Sequence, residues 1–160
     1  MKVLIVSDTH RMDGLYQRLC KKYAPLDMVI HCGDVEGSEE LIRESAGCTV
    51  HMVAGNNDYF SDLPKDKEFN IGKLKVWLTH GHNYYISMGT EVLKAEARAR
   101  GVDIVMFGHT HRPLVNYAGD IILINPGSLS YPRQEGRKPT YIIMETDKNG
   151  EPKFEIKYLP

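Results

Sequence analysis

Cysteine is scarce and irregularly placed: three residues in 160, Cys20, Cys32 and Cys48, with no CxxC spacing. An odd set of this kind does not build a disulfide framework, so reduced thiols and a cytoplasmic setting are expected. Cys32, two positions before Asp34, reads as a small buried residue at a strand end. Neither sign of charge dominates, since 20 Lys and Arg face 21 Asp and Glu, for a net charge of −1 with seven neutral His. That balance offers no general basic surface, so nucleic acid and anionic membrane are not the expected partners. No run approaches the roughly 18–20 apolar residues of a membrane span. The first eight residues have too short an apolar run, interrupted by Asp8, to read as a signal peptide. Internal repeats, low-complexity tracts and interdomain linkers are also missing. What remains is an ordinary globular composition, and the length suits a single domain over residues 1–160 with a real core.

The apolar pattern supplies the elements. Val3–Val6 is a continuous apolar run, as in a strand buried on both faces. Residues 12–23 read as a helix with Leu15, Tyr16 and Leu19 on one side. Residues 27–31 form a second strand. Ser38 is placed to cap a short helix holding Leu41 and Ile42. Residues 49–53 form a third strand, and the β-α-β-α-β order implies a parallel sheet. The second half reads differently. Residues 68–71 and 74–78 form a hairpin around Gly72. Residues 89–100 are a helix stopped by Gly101, and residues 103–107 are another buried strand. Short strands follow at 114–118, 120–124, 139–146 and 152–158, the last two joined by a turn at Asn149-Gly150. The second sheet is expected to be mostly antiparallel, and helices lie outside both sheets.

Five segments place metal-binding side chains after these apolar runs: Asp8-Thr9-His10, Gly33-Asp34, Gly55-Asn56-Asn57-Asp58, His80-Gly81-His82 and Gly108-His109-Thr110-His111. Ligands gather where strands end in loops at one rim of such sheets. A carboxylate can bridge two cations, which makes Asp34 the bridging candidate. Neutral imidazoles with carboxylates suit Mn, Fe, Co, Ni and Zn better than Ca. An Asn carbonyl is a neutral ligand that leaves positive charge for an anionic substrate. A two-metal centre of this kind is suited to phosphate ester hydrolysis. His31 and His51 sit inside strand patterns and read as structural.

In its order D-x-H, GD, GN-x-D, HGH and GHTH, from Asp8 to His111, the chain resembles the calcineurin-like metallophosphoesterase superfamily. It is most similar to the short prokaryotic phosphodiesterase branch, which shares the Asn125-Pro126-Gly127-Ser128 turn and a terminal β-hairpin. The resemblance implies an α/β fold: a four-layer α/β/β/α sandwich of two packed mixed sheets flanked by helices. It implies one metal held by Asp8, His10, Asp34 and His111, and a second held by Asp34, Asn56, His80 and His109. Asp58 and Asn125 would orient ligands from behind, and Ser128 would either do the same or serve the turn. Mn is the metal expected by resemblance, with Ni, Co, Fe and Zn as alternatives. The expected reaction is phosphodiester hydrolysis by hydroxide generated at the dinuclear centre, on a small phosphodiester substrate. Relatives in this branch form dimers or tetramers.

One departure stands out. Many relatives carry a His directly after the metal-binding Asn, oriented by an Asp on the preceding loop. Here those positions are Asn57 and Gly37. The general acid is therefore unassigned, and His82 is the candidate acid or phosphate contact. The competing class is a non-catalytic scaffold, since the retromer complex has a subunit that resembles this family with degraded metal motifs. Against it, every expected ligand is present here. A closed structural metal site would favour Cys-rich shells, and a nuclease would need a basic channel. Specificity is expected in the loops 57–66, 83–90 and 130–139, which carry Tyr59, Phe60, Tyr84, Tyr85, Tyr131 and Arg133, the last a candidate phosphate contact.

Overall fold

Alternation along the first strand sets up the whole architecture. In β1 (Lys2–Val6), Val3 and Ile5 face one way and Leu4 and Val6 the other, and all four are fully buried. A strand buried on both faces needs a layer on each side. The computed structural model, which describes residues 1–160, supplies both.

The first sheet runs in the order β10-β9-β1-β2-β3. Its members are β1, β2 (Met28–His31), β3 (Thr49–Met52), β9 (Thr140–Thr146) and β10 (Pro152–Tyr158). β1, β2 and β3 are parallel, with Val6 opposite His31 and His31 opposite Met52. β9 and β10 add an antiparallel edge. The second sheet runs β4-β5-β6-β8-β7. It comprises β4 (Asp66–Ile71), β5 (Leu74–Thr79), β6 (Ile104–Met106), β7 (Pro113–Ala118) and β8 (Ile121–Pro126).

This second sheet is mixed rather than mostly antiparallel. The β4-β5 and β7-β8 pairs are antiparallel, but β5-β6 and β6-β8 are parallel. The reason is the helix α3 (Glu91–Arg100), which carries the chain from β5 back to β6 as a crossover instead of a hairpin. Gly101 closes it by donating to the Ala97 and Arg98 carbonyls.

Three apolar layers follow. Val3, Ile5, Ile30, Leu78, Met106 and Ile142 meet between the sheets. The outer face of the first sheet is covered by α1 (Gly14–Tyr23) and α2 (Glu39–Ala46) through Tyr16, Leu19 and Ile42. The outer face of the second is covered by Leu93 and Ala97 of α3 over Trp77, Val105 and Leu123. The result is the four-layer sandwich, with both sheets mixed.

Details differ from the sequence reading at the edges. α1 begins at Gly14, because residues 10 and 11 are bent into the left-handed region and cannot start a helix. Ser38 stands at the start of α2 but its hydroxyl makes no capping bond. The three cysteines are unpaired. No helix is long and apolar enough to cross a membrane.

Parallel strands end at the same rim of a sheet. The loops after β1, β2 and β3 therefore leave one edge of the first sheet, and those after β5, β6 and β8 leave one edge of the second. His80, after β5, reaches across to the Cys32 carbonyl after β2 (2.7 Å), so these two edges adjoin.

Candidate metal centre

All five predicted segments meet at this rim. Asp8 and His80 are fully buried, Asp34 and His111 nearly so, and Asn56 is exposed. One ligand atom from each of Asp8, His10, Asp34 and His111 lies within 4.8 Å of the others. A second group shares Asp34. Asn56 Oδ1 lies 3.0 Å from His80 Nε2 and 2.9 Å from His109 Nδ1. His80 Nε2 lies 3.4 Å from Asp34 Oδ2.

Where hydrogens are placed decides what this cluster wants. His80 Nδ1 donates to the Cys32 carbonyl, and His111 Nδ1 donates to the Tyr131 carbonyl at 2.7 Å. In the neutral rings that leaves Nε2 of each bare and aimed at oxygen. His111 Nε2 is 3.0 Å from Asp8 Oδ1, and His10 Nε2 and His80 Nε2 are 3.6 and 3.8 Å from it. Yet Asp8 Oδ1 is buried without a hydrogen-bond partner. A buried charged oxygen facing lone pairs is costly unless a cation sits among them. The donor set therefore fits divalent metal, with imidazole, carboxylate and amide oxygen as ligands.

Protons on the same nitrogens are the other way to balance these charges. Burial pushes the Asp8 and Asp34 carboxyls up, but the imidazoles around them win. His10 and His111 hold Asp8 far below the usual carboxylate range, and His80 with the Asn57 amide lowers Asp34. Both stay ionised. In return, although burial lowers His10 and His80, the carboxylates raise both above an ordinary imidazole. Burial, then the neighbouring His80, lowers His82 and His109.

Backbone strain is concentrated here. Asp8, His10, Asp34, His109 and His111 all have positive φ, between 47° and 67°. Asp and His tolerate this region better than branched residues, but each such residue still costs roughly 1–3 kcal/mol unless its surroundings enforce it. They do. The Asp8 and His10 amides donate to the Gly33 and Asp34 carbonyls, both at 3.0 Å. Ser128 and Ser130 hydroxyls both donate to the Asp8 carbonyl, at 2.8 and 2.7 Å. Ser7 Oγ and the His109 amide hold Asp8 Oδ2 at 2.5 and 3.2 Å.

Two glycines permit the close approach. A Cβ on Gly55 would fall 2.1 Å from Asp34 Oδ1, and one on Gly108 would fall 2.1 Å from Ser7 Oγ. The GN and GH motifs are thus clearance for Asp34 and Asp8.

Asp58 does not touch another expected ligand's side chain. Its carboxylate accepts four backbone amides, from Asp34 (2.9 Å), Val35 (3.3 Å), Glu36 (2.7 Å) and Gly55 (2.7 Å). It fastens the Asp34 loop to the Asn56 loop. Asn125 does the same for the histidine loop, donating to the Gly108 carbonyl and Thr110 Oγ1 at 3.0 Å each. Asn57 donates twice to Asp34, from its backbone to Oδ1 and from Nδ2 to Oδ2, both at 2.9 Å. His82 sits with its ring 5.4 Å from His80 and 6.1 Å from His109, its Nδ1 buried and unpaired.

Sequence reasoning passed over Ser7 and Ser130, and it read His31 as structural, which it is. His31 is fully buried, accepts from the Gly33 amide at Nδ1 (3.2 Å) and donates from Nε2 to Thr9 Oγ1 (3.0 Å). It braces two ligand loops without entering the cluster. His51 is farther off, stacked on Phe69 at 3.8 Å. Of the expected rim aromatics, Tyr59, Phe60, Tyr85 and Tyr131 are exposed. Tyr84 is instead half-buried against Trp77, with its hydroxyl on Asp66.

The calcineurin-like phosphoesterase superfamily domain matches residues 1–149. A probable metallophosphoesterase of Methanocaldococcus jannaschii is 33% identical over 163 residues, covering 100% of this chain and 81% of that protein. A crystal structure of a single mutant of Vps29 from Entamoeba histolytica aligns with a TM-score of 0.79 at 25% identity, over 100% of both chains. A structurally characterised archaeal phosphodiesterase aligns with a TM-score of 0.75 at 26% identity, over 98% of this chain and 100% of that one.

Two outcomes follow from these contacts. Asp58→Ala leaves four loop amides without their acceptor and should lower unfolding free energy by about 3 kcal/mol. Asp58→Asn, which keeps one oxygen, should lose less; urea unfolding of both variants checks this. For His31, burial pushes the pKa down to about 4 in the fold, against about 6.5 in the unfolded chain. The unfolded chain binds the extra proton between those values, so this contribution is complete above pH 6.5 and falls by about 3 kcal/mol as pH drops to 4. His10 and His80 act in the opposite direction, so ring titration by NMR is the cleaner readout. A His31 midpoint near 4 is expected, and one near 6.5 would contradict the neutral bracing ring.

Proposed function

The chain belongs to the calcineurin-like phosphoesterase superfamily, and on that premise we propose that it is a cytoplasmic, metal-dependent phosphodiesterase whose residues 1–160 act as one domain around a dinuclear centre. The observation that carries the reading is the buried Asp8 Oδ1, which lacks a hydrogen bond amid three imidazole nitrogens. Asp8, His10, Asp34 and His111 would hold one ion, and Asp34, Asn56, His80 and His109 the other, with Asp34 shared. Mn is the metal proposed, and Ni, Co, Fe and Zn suit the same donors. When bound, such ions stabilise charge on phosphoryl oxygens and lower the pKa of water from 15.7 towards about 7. The unpaired cysteines support the cytoplasmic setting.

The chain's own residues prepare this chemistry. Carbonyls hold the hydrogens of His80 and His111 on Nδ1, so that Nε2 is free as a donor of electrons. Asn57 fixes both oxygens of Asp34 and so sets the orientation of the shared carboxylate. The raised pKa of His10 and His80 means that protons compete for the same nitrogens as pH falls. His82, its pKa lowered by burial and by His80, is neutral at pH 7. That favours a role as a hydrogen-bonding contact to phosphate over that of a protonated acid. With His82 as a neutral contact, the donor of a proton to the departing oxygen is unassigned.

The deciding assay is hydrolysis of bis(p-nitrophenyl) phosphate at neutral pH by metal-stripped protein, by the same protein with Mn²⁺ restored, and by Asp34→Asn with Mn²⁺. Turnover should require metal and fall at least 100-fold in the variant, on the order expected when a shared ligand is lost. Full activity in Asp34→Asn would sink the ligand assignment. Folded protein inactive with Mn²⁺, Ni²⁺, Co²⁺ and Zn²⁺ would favour the alternative, a non-catalytic binding module of the same fold. With no acid assigned, rates should also rise steeply as leaving-group pKa falls, aryl diesters exceeding alkyl ones. A flat dependence across a substrate series would reveal a proton donor, and His82→Ala would then identify it.

A further inference from the structure

The cluster opens on two sides that differ in charge. On one side, a cavity of about 630 Å³ is lined by His10 and His111 together with Arg112, Tyr131, Arg133 and Arg137, and no carboxylate lines it. On the other, a cavity of about 520 Å³ shares His10 and sets the carboxylates of Glu36, Glu39 and Asp58 against the one guanidinium of Arg11, with Tyr59 and Phe60 beside them.

The three arginines of the first cavity are unspent. Arg100 is paired with Glu68 and Glu96, and Arg98 lies against Asp120. Arg11 donates to the Glu36 carbonyl. Arg112, Arg133 and Arg137 have no carboxylate within ion-pair distance and donate no side-chain hydrogen bond. Like charges gathered without counter-charge repel one another, and an anion relieves that cost.

The loop that carries Arg133 and Arg137 is built onto the cluster. The Arg133 amide donates to the His111 carbonyl at 3.0 Å, while His111 Nδ1 donates to the Tyr131 carbonyl at 2.7 Å. Ser128 Oγ, itself bonded to the Asp8 carbonyl, accepts the Tyr131 amide at 2.9 Å. The Arg137 amide turns back to the Gln134 carbonyl at 3.0 Å, and Gln134 Nε2 donates to the Lys138 carbonyl at 2.6 Å. The guanidiniums of Arg133 and Arg137 are therefore mounted on a loop tied at several points to the residues around Asp8 and His111, and that of Arg112 follows His111 directly. Guanidinium forks match phosphate oxygens in pairs.

We propose that Arg112, Arg133 and Arg137 form a second anion subsite, and that the substrate is a small phosphodiester bearing an additional phosphate on the arm that enters this cavity. The identity of that arm rests on the phosphodiesterase reading; the subsite itself does not. The second cavity, acidic and aromatic, would reject such a group, so the diester is oriented by charge before hydrolysis.

Two measurements test this on the full chain. Inorganic pyrophosphate is titrated calorimetrically into metal-stripped wild type, the Arg133→Ala/Arg137→Ala double variant and Arg98→Ala. Wild type and Arg98→Ala should bind alike, and the double variant about tenfold or more weakly, as loss of charge-assisted contacts implies. The Mn²⁺-loaded proteins are then given thymidine 5′-(p-nitrophenyl phosphate) with and without a 3′-phosphate. Wild type should favour the phosphorylated ester about tenfold in kcat/KM, chiefly through KM, and the preference should collapse towards one in the double variant. Equal pyrophosphate affinity in wild type and double variant, or an undiminished preference in the variant, overturns the subsite. If no ester is hydrolysed by any protein, the phosphodiesterase reading fails, and the pyrophosphate titration still decides the subsite alone.

Discussion

Two buried carboxylates set among imidazole nitrogens are the constraint around which this molecule is organised. Asp8 and Asp34 remain ionised although burial opposes it, because His10, His80 and His111 surround them. When their rings are neutral, His80 and His111 present Nε2 lone pairs instead, because carbonyls behind them hold the Nδ1 hydrogens. Such an arrangement does not stabilise a fold by itself. It has to be enforced by the scaffold, and the number of bonds devoted to enforcement measures how unfavourable it is. The Asp8 peptide alone engages the Gly33 carbonyl and the Ser128 and Ser130 hydroxyls.

The scaffold meets that demand through parallel pairing. β1, β2 and β3 end together, so Asp8, Asp34 and Asn56 emerge from one edge. Parallel strands in the second sheet do the same for His80 and His109. A second sheet closed only by hairpins would have sent half of its loops to the opposite rim. The α3 crossover is therefore a requirement of the site as much as of the core. The strained positions then lie in the first few residues after strands, where the ladder no longer dictates φ and side-chain and loop hydrogen bonds can.

Much of this was legible in the sequence. The five segments, their order and the buried strands before them were readable because ligand chemistry and period-two burial leave local marks. The resemblance supplied the pairing of sheets. Other features leave no such marks. Ser38 has the right residue type for a cap and makes no capping bond, since cap geometry depends on the incoming chain. Tyr84 looks like a rim aromatic but packs on Trp77, a contact set by the fold between distant segments. His31 and Ser130 act through partners 22 and 122 residues away, and Ser7, bonded to its neighbour Asp8, belongs to no motif that marks it. The resemblance placed Asp58 behind the ligands, and only the fold reveals that it acts there by accepting four backbone amides. The three arginines beside His111 are separated in sequence by 21 and 4 positions of unremarkable loop and strand, so their joint charge is invisible until the loop folds back.

Position 57 shows how a departure from the common pattern can be coherent. Many relatives carry a His there, with an acidic partner three residues after the shared Asp. In this chain Asn57 spends both an amide N–H and its side-chain Nδ2–H on Asp34, and Gly37, at a φ of 90°, has little room for a side chain, since Arg11 Nη2 lies 3.3 Å from where its Cβ would stand. An imidazole committed to a leaving oxygen would not give Asp34 Oδ2 that second bond. On the proposed dinuclear reading, the exchange gives up a proton donor and gains a firmer hold on the Asp34 carboxylate. Under the proposed reaction, selectivity shifts to leaving groups that depart unassisted and to substrates held by charge at a distance from the reacting phosphorus. The unpaired arginines and the missing imidazole are then two sides of one arrangement: less help at the breaking bond, more grip on the rest of the molecule.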